Sequence, residues 1–329
     1  MEKIKRIIFV STLKLFLMMS VCNNHSIFAQ SKSKKIVGLL QIRNESVLIE
    51  QCLHALSFYT DAMVILDDAS QDDTVKLCKE CAHTYRIEAI LQNESSAWEH
   101  RSESDNRQKL LEAGRTIGGT HFIILDADEI MTANCKDNNF LRRMILQLNP
   151  GDRLAMNIMH VWDSLHRYRT YFSEKMKFFI FCDDGACSYL NQFLHVNRTP
   201  FNLQGGVNLE LPNDQYGLLH FGYYNWQNVL IKQAWYKCLE RIRNPQKSVA
   251  EINSWYPAHK EKDLQTLSVP SNWIMGYDFF NPSLFDHVET WRKKQMKQWF
   301  EKYGKEYFKE LEIWHLNWDE IFMEIDEKA

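Results

Sequence analysis

Residues 121–129 read HFIILDADE, an apolar run that ends abruptly in acids. The run from His121 to Leu125 is typical of a strand buried on both faces of a parallel sheet, because such strands lack the alternation of apolar and polar residues seen in half-exposed strands. Asp126 and Asp128 follow directly after it. In open α/β sheets, ligands bind beyond the carboxyl ends of the strands, so this stretch indicates both a fold class and the position of a site.

Three earlier apolar runs have the same character and alternate with helical patterns. The predicted strands are residues 36–40, 62–66 and 87–91, and the predicted helices are residues 46–59, 72–81 and 101–113. Strands and helices that alternate in this way form a parallel sheet whose two faces are covered by helices. We therefore predict an α/β fold with a mostly parallel sheet.

After residue 131 the pattern is less regular. We predict strands at residues 154–161, 176–181 and 217–221, helices at residues 140–148 and 226–242, and irregular structure over residues 183–214. Aromatic residues recur at helical spacing from residue 291 to residue 308. This spacing predicts a C-terminal helical region whose aromatic side chains form a core.

The composition excludes several classes of protein. The chain has 329 residues, with 39 Lys and Arg against 42 Asp and Glu, which gives a formal net charge of −3. Proteins that bind the backbone of nucleic acids carry a basic excess, so we do not expect a nucleic-acid partner. With only 12 Gly and 7 Pro, the chain is also unlike disordered or collagen-like sequences.

The first thirty residues form a separate segment. A basic start precedes an apolar run over residues 7–22, which Lys14 interrupts. The run is shorter than the roughly 20 apolar residues that a spanning helix needs, so residues 1–30 are predicted to be a secretory signal peptide or a short uncleaved anchor. A cytosolic helix that packs into the fold is the alternative. We expect a location in the secretory pathway or at a membrane, with a cytosol-facing protein as the other reading.

Polar and acidic clusters follow three of the first four predicted strands. They read QIRNE at residues 41–45, DDASQDDT at residues 67–74 and DADE at residues 126–129. Carboxylates concentrated along one sheet edge repel one another unless a cation lies among them. The carboxylates of the Asp126-x-Asp128 motif are hard ligands that suit Mg²⁺ or Mn²⁺ together with substrate phosphates.

These clusters, in this order, resemble the signature of family-2 glycosyltransferases with the GT-A fold. Gln71 stands where that family often has Thr. The resemblance covers residues 35–130 and continues to about residue 240 through LLHF at residues 218–221. It implies a GT-A domain over residues 31–245, and we assign residues 246–329 to a helical, aromatic-rich extension.

The resemblance also implies a pocket for a nucleotide-sugar at this edge. The residues expected to line it are Arg43, Asn44, Glu45, Asp67, Asp68, Arg107 and Asp126. Within this set, Asp68, with Asp67 beside it, would contact the base or ribose, and Asp126 would face the ribose or the donor sugar.

Two further residues are implied as contacts of a metal. Asp128 would bind a Mn²⁺ or Mg²⁺ ion that bridges the diphosphate, and His220 would be a second ligand or a diphosphate contact. An imidazole beside carboxylates is an acceptable ligand for Mn²⁺. A core histidine at a strand end is the equally weighted alternative for His220.

The activity implied is metal-dependent transfer of a sugar from a nucleotide-sugar to a hydroxyl of a glycan, lipid or protein acceptor, with inversion. Inversion requires a carboxylate that deprotonates the acceptor hydroxyl. Related enzymes supply it after the D-x-D motif, but the comparable stretch here, HVN at residues 195–197, contains no acid. The acids left as candidates are Asp183, Asp184, Glu210 and Asp214, and the sequence does not choose among them.

Two other functions fit parts of the pattern. A non-catalytic carbohydrate-binding protein on a degenerate GT-A scaffold would explain the missing acid, although the intact Asp126 and Asp128 oppose it. A nucleotidyltransferase would use the same acidic edge to bind a metal. It is disfavoured because the glycine-rich, basic loop that such enzymes place after the first strand is absent.

Overall fold

The computed structural model describes residues 33–94, 101–170, 177–192, 195–212, 214–257, 265–275, 277, 281, 283 and 290–327. The predicted N-terminal segment, residues 1–30, lies outside the described residues. Within the described ranges, none of the helices combines the length and the apolar character needed to cross a bilayer. Residues Lys35–Ala329 form one compact unit, and the predicted division after residue 245 stays a prediction.

The order of strands and helices follows the predicted alternation. The strands are β1 (Ile36–Ile42), β2 (Ala62–Asp67), β3 (Ile87–Gln92), β4 (His121–Asp126), β5 (Glu129–Met131), β6 (Arg153–Trp162), β7 (Arg167–Thr170), β8 (Lys177–Cys182), β9 (Asn208–Glu210), β10 (Gly217–Tyr223) and β11 (Leu267–Ser268). The helices are α1 (Ile49–Ser57), α2 (Thr74–Glu80), α3 (Glu103–Thr116), α4 (Phe140–Gln147), α5 (Trp226–Arg243), α6 (Val249–Trp255), α7 (Ser271–Ile274), α8 (Trp291–Tyr303) and α9 (Trp318–Asp326). Short 3-10 segments occupy Ala133–Asn139 and Lys305–Phe308.

The strands form a sheet in the order β11-β7-β6-β8-β4-β1-β2-β3. β1 pairs in parallel with β2 and with β4, and β2 pairs in parallel with β3. β8 then runs antiparallel to both β4 and β6. The predicted α/β class with a central parallel sheet is confirmed, and the four parallel strands end at one common edge.

Helices cover both faces of the parallel strands because successive side chains of a strand point to opposite sides. Leu40 of β1 lies in one core with Leu53 of α1. Its neighbour Leu39 lies in a second core with Leu110 of α3. The continuous apolar runs of β1, β2 and β4 therefore correspond to strands buried on both faces, whereas β3, at the edge of the sheet, is only partly buried.

A short strand that the sequence did not predict, β5, completes the sheet edge at the site. β5 directly follows the D-x-D motif and pairs antiparallel with β10, so that His220 lies opposite Glu129. β10 also pairs in parallel with β6, which sets His220 beside His160. A three-residue strand such as β5 is too short to show a period of two, and β9 lies unpredicted within residues 183–214 for the same reason.

The C-terminal helices pack around an aromatic core, as their spacing predicted. Trp235 of α5 stacks on Trp299 of α8 with ring centroids 5.7 Å apart. Phe308 and Trp318 lie in the same buried cluster. This core fixes α8 against α5, and both helices carry residues of the cleft described below.

We predict that Trp299→Ala lowers the free energy of unfolding by about 3–5 kcal/mol, because it empties a large volume in a packed core. The side chain of Trp299 is 1% exposed, whereas that of Trp255 is 52% exposed. Trp255→Ala is therefore the matched control and is expected to cost less than about 1 kcal/mol. Urea unfolding followed by far-ultraviolet circular dichroism measures both, and equal losses would contradict the prediction.

Candidate active site

Two adjoining cavities open at the carboxyl ends of β1, β2 and β4. The first has a volume of about 200 Å³ and includes Asp68, Arg107 and Asp126 in its lining. The second has a volume of about 380 Å³ and includes Asn44 and Asp72. Both cavities are lined in part by Glu45, Asp128, Lys232, Trp291 and Arg292. They are therefore two parts of one cleft, at the edge where the sequence predicted a site.

The carboxylate of Asp68 is buried and held by two side chains. Arg101 approaches Asp68 Oδ2 with Nη1 at 2.6 Å, and the amide of Asn93 donates to Asp68 Oδ1 at 2.7 Å. Arg43 donates from Nη1 to the backbone carbonyl of Asp68 at 3.0 Å. Arg101 is a lining residue that the sequence did not predict. Asp68 thus reaches the cavity as part of an ion pair.

Asp67 has a different place. It is 1% exposed, and its carboxylate oxygens accept hydrogen bonds from the backbone N–H of Ser70 at 3.1 and 3.2 Å. Asp67 is absent from the described residues that line the two cavities. The contacts of Asp67 stabilise the turn after β2, and its predicted role beside Asp68 stays a prediction.

The loop after β1 is tied to the loop after β2 by hydrogen bonds. Asn44 adopts a left-handed backbone conformation with φ of 53°, and its Oδ1 accepts from the N–H of Gln71 at 2.7 Å. The N–H of Glu45 donates to Thr74 Oγ1 at 2.8 Å. Asparagine tolerates this conformation better than most residues, which gives a local reason for Asn44 at this position.

Arg43 lies in a crowded cationic setting. Its guanidinium lies 5.4 Å from the ring centroid of Trp291 at the start of α8. Burial, followed by the charge of Arg101, lowers the pKa of Arg43 to about 9. The neighbouring guanidinium groups of Arg43 and Arg101, in a partly buried cavity, favour the binding of an anionic ligand.

Arg107 is among the residues that line the first cavity and forms an ion pair within its own helix. Its Nη2 lies 2.7 Å from Glu103 Oε1, one turn earlier in α3, and 3.9 Å from Asp126 Oδ1. Although burial alone lowers it, the pKa of Arg107 is raised by Glu103 and Asp126. Arg107 therefore stays charged and presents that charge to Asp126.

Arg198 bridges two acids of the D-x-D segment. Its guanidinium donates to both carboxylate oxygens of Glu129, at 2.5 and 2.6 Å, and to Asp126 Oδ2 at 2.9 Å. Glu129 in turn accepts from the N–H of Asp126 at 3.0 Å. Sequence reasoning missed Arg198, because a single arginine in an irregular stretch has no pattern that marks it.

Asp128 and His220 meet at the boundary of the two cavities. His220 Nε2 lies 3.2 Å from Asp128 Oδ2, and Lys232 Nζ lies 3.9 Å from the same oxygen. Burial alone would raise the pKa of Asp128, but His220 and Lys232 hold it well below its usual range. His220 Nδ1 lies 2.6 Å from Nδ1 of His160, so that the ring of His220 is held from both sides.

Gly222 packs closely against these two groups. A Cβ atom at position 222 would lie 2.6 Å from His220 Nε2 and 3.0 Å from Asp128 Oδ2. The first distance is too short for unbonded atoms and the second is unusually tight, so a side chain here would displace the imidazole or the carboxylate. An imidazole nitrogen and a carboxylate oxygen 3.2 Å apart at the wall of the cleft are a donor set that suits Mn²⁺.

Protein cations already offset most of the acidic edge. The pairs are Arg101 with Asp68, Arg198 with Asp126 and Glu129, and Lys232 and His220 with Asp128. The cations expected among these acids are therefore in large part side chains of the chain itself.

The four candidate bases do not lie in this cleft. Asp183 follows Cys182, which pairs with His121 at the start of β4, whereas Asp126 ends that strand. Five residue steps of a strand span about 17 Å. Asp184 is adjacent to Asp183, while Glu210 ends β9 beside the start of β6 and Asp214 precedes the start of β10.

Asp183 and Asp184 belong to a separate cluster. With Cys187, they offer ligand atoms within 4.8 Å of one another, the single such group of three found among the described residues. Asp183 forms a 2.7 Å ion pair with Arg115, and the backbone N–H of Cys187 donates to Asp184 at 2.7 Å. These contacts already explain the cluster as a structural turn.

Comparisons with known proteins find similar solved structures. A scan of protein-family models and a search of curated proteins each found no match. The chain is similar to S. aureus TarS 1–349 in complex with UDP, with 12% identity and a TM-score of 0.41 over 67% of this chain and 68% of that chain. It is also similar to glucosyl-3-phosphoglycerate synthase from Mycobacterium tuberculosis in complex with Mn²⁺, UDP and glucosyl-3-phosphoglycerate, with 18% identity and a TM-score of 0.28 over 39% and 45% of the two chains. At these scores the likeness does not define a substrate.

We predict that Arg198→Met lowers the free energy of unfolding by about 3–5 kcal/mol, because it leaves the buried Glu129 carboxylate without its partner. The double variant Arg198→Met/Glu129→Gln should recover more than half of that loss. Arg167→Met is the control, since the pair of Arg167 with Asp163 is half exposed, and it should cost less than about 1 kcal/mol. Urea unfolding measures all three, and a double variant no more stable than Arg198→Met would contradict this account.

Proposed function

We propose that this chain is a glycosyltransferase that moves a sugar from a nucleotide-sugar donor to a hydroxyl acceptor, with a divalent metal and with inversion. The observation that carries the proposal is the convergence of Asp128 and His220 over Gly222, next to a cavity lined by Asp68 and Asp126. These residues come from three separate parts of the chain. Gly222 is packed so closely against both groups that a side chain there would displace them.

The first cavity is the proposed site of the nucleotide. Its lining includes the carboxylates of Asp68 and Asp126 and the guanidinium groups of Arg43 and Arg107. Carboxylates are acceptors for hydroxyl and base N–H groups, while guanidinium groups bind phosphate oxygens in a bidentate manner. The lining therefore offers partners for each polar part of a nucleoside diphosphate.

Asp128 and His220 are the proposed ligands of Mn²⁺ or Mg²⁺, with water and diphosphate oxygens completing the coordination. When bound, the metal offsets the charge that develops on the leaving diphosphate. Lys232 lies 3.9 Å from Asp128, and its pKa is raised to about 12, because the charge of Asp128 outweighs the opposing effect of burial. Lys232 therefore supplies a permanent positive charge at the same place.

The catalytic base is not assigned to a residue. Asp183 and Asp184 lie beyond the opposite end of β4, so a base for inversion has to come from the cleft itself. Of the predicted acids Asp183, Asp184, Glu210 and Asp214, none is among the described residues that line the cavities. That observation favours, as a second candidate, a protein that binds nucleotide-sugars without turning them over.

The N-terminal segment, residues 1–30, is proposed to direct the chain into the secretory pathway or to anchor it at a membrane through residues 7–22. An enzyme of this class needs its donor in the same compartment, so an uncleaved anchor with the enzyme facing the cytosol is the alternative. Mass spectrometry of the mature N-terminus distinguishes a cleaved signal from an anchor, and an intact N-terminus would exclude cleavage.

The proposal is tested by calorimetric titration of the full chain with UDP, GDP, ADP and dTDP, with and without Mn²⁺, followed by hydrolysis assays with the matching nucleotide-sugars. We expect one nucleotide to bind at least about tenfold more tightly with Mn²⁺, and Asp128→Asn to abolish that gain, because it removes the charged ligand. Asp105→Asn, an exposed carboxylate of α3, is the control. Metal-linked binding without hydrolysis or transfer would support the second candidate, and no nucleotide binding would overturn both.

Gly222→Ala is expected to weaken the Mn²⁺-dependent part of nucleotide binding by about tenfold or more, because the new methyl group would press on His220 Nε2 and displace the imidazole from Asp128. Binding in the absence of metal serves as the internal control and should change by less than about threefold. If both affinities fall by the same factor, the glycine serves packing and not the metal.

A further inference from the structure

The second cavity lies across Asp128 from the first. The two cavities share Glu45, Asp128, Lys232, Trp291 and Arg292 in their linings. The second is also lined by the loops after β1 and β2, by the end of β10 and by the starts of α5 and α8. With a volume of about 380 Å³, it is large enough for a sugar-sized molecule. A molecule bound there would face a donor in the first cavity across the proposed metal position.

Three cations line this second cavity: Lys232 from α5, and Arg292 and Lys294 from α8. Lys294 lines the second cavity but not the first. Its ammonium group forms no ion pair with any carboxylate of the described residues. A lysine without a protein partner, at the wall of a cavity that already holds two cations, is a position where an anion would be attracted.

Two of the acids that line this cavity are already occupied. Asp72 accepts from the N–H of Thr74 at 3.0 Å and from the N–H of Ser46 at 3.2 Å, and these bonds hold its charge at the loop. Asp128 faces His220 and Lys232. Neither carboxylate forms a salt bridge with Lys294, so the charge of this lysine is not offset by Asp72 or Asp128.

Helix α8 divides its cations between two faces. Lys293 pairs with Glu324 at 3.2 Å and Lys297 pairs with Asp326 at 2.7 Å, both on α9. Arg292 instead stacks on the ring of Trp291 at 4.3 Å and lines the cleft together with Lys294. Residues 293 and 297 are one turn apart on one side of the helix, whereas residues 291 and 294 share another side. Within residues 291–294, Lys293 therefore pairs with α9, whereas the other three residues line the cleft.

We infer that the second cavity binds the acceptor and that this acceptor carries an anionic group, a phosphate or a carboxylate, recognised by Arg292, Lys294 and Lys232. The inference rests on the proposed function and adds the chemical class of the acceptor to it. Arg292, held against Trp291, offers a planar pair of donors for an oxyanion, and Lys294 adds a point charge at the cavity wall. Trp291 provides an apolar face on which a sugar ring can pack.

The test uses the full chain saturated with Mn²⁺ and with the nucleoside diphosphate that binds most tightly, so that the first cavity is filled. Glucose, glucose 6-phosphate and glucuronate are then titrated separately, with binding followed by saturation-transfer NMR. We expect at least one charged sugar to bind at least about tenfold more tightly than glucose, with the preference falling at high salt. The two charged sugars distinguish a phosphate from a carboxylate.

Lys294→Met and Lys297→Met are the matched variants, because both remove one lysine from the same helix. Lys294→Met should reduce the preference for the charged sugar at least about threefold, and Lys297→Met should leave it unchanged. The inference would be overturned if the three sugars bound equally, if none of them bound, or if the two variants had equal effects. In each of these cases, binding of the nucleoside diphosphate would still uphold the proposed function. If no nucleoside diphosphate binds, the proposed function fails and this inference fails with it.

Discussion

Carboxylates gathered at the carboxyl end of a parallel sheet must be offset by positive charge, and the architecture of this cleft follows from that constraint. Asp68 follows β2 and Asp126 ends β4, and each forms an ion pair with an arginine from a different segment. Charges interact strongly where water is scarce, so each arginine offsets the charge of its acid. The segments that carry Arg101 and Arg198 are thereby attached to the sheet edge, and Arg101 itself lines the cleft.

The same constraint limits the proposed metal position to a small part of the acidic edge. Asp68, Asp126 and Glu129 are each held by an arginine, so a divalent ion would be held by Asp128 and His220 and not by the whole cluster. The position of these two residues depends on β10, which carries His220 and, two residues later, Gly222. β10 is held between β5 and β6, so the imidazole and the glycine are set beside the carboxylate by one hydrogen-bonded ladder. Rigid strands position ligands more accurately than loops do.

The C-terminal helices are part of the cleft as well as of the fold. The aromatic core between Trp235 and Trp299 fixes α8 so that its first turn reaches the cavities. A region that reads as a helical extension in the sequence therefore contributes Trp291, Arg292 and Lys294 to the walls. The amphipathic pattern of α8 predicted its packing, but it held no information about which molecule its exposed first turn would face.

The sequence by itself determined the alternating strands and helices, the buried parallel sheet and the edge at which Asp68, Asp126 and Asp128 lie, because these follow from local hydrophobic period and from the order of strands. The resemblance also predicted His220 as a site residue, and the fold sets it beside Asp128. Only the tertiary structure decided which cations meet the acids. Arg101 lies 33 residues from Asp68, and Arg198 lies 69 residues from Glu129. A pairing over such separations leaves no periodic trace, since it depends on how strands and loops are brought together and not on neighbouring residues.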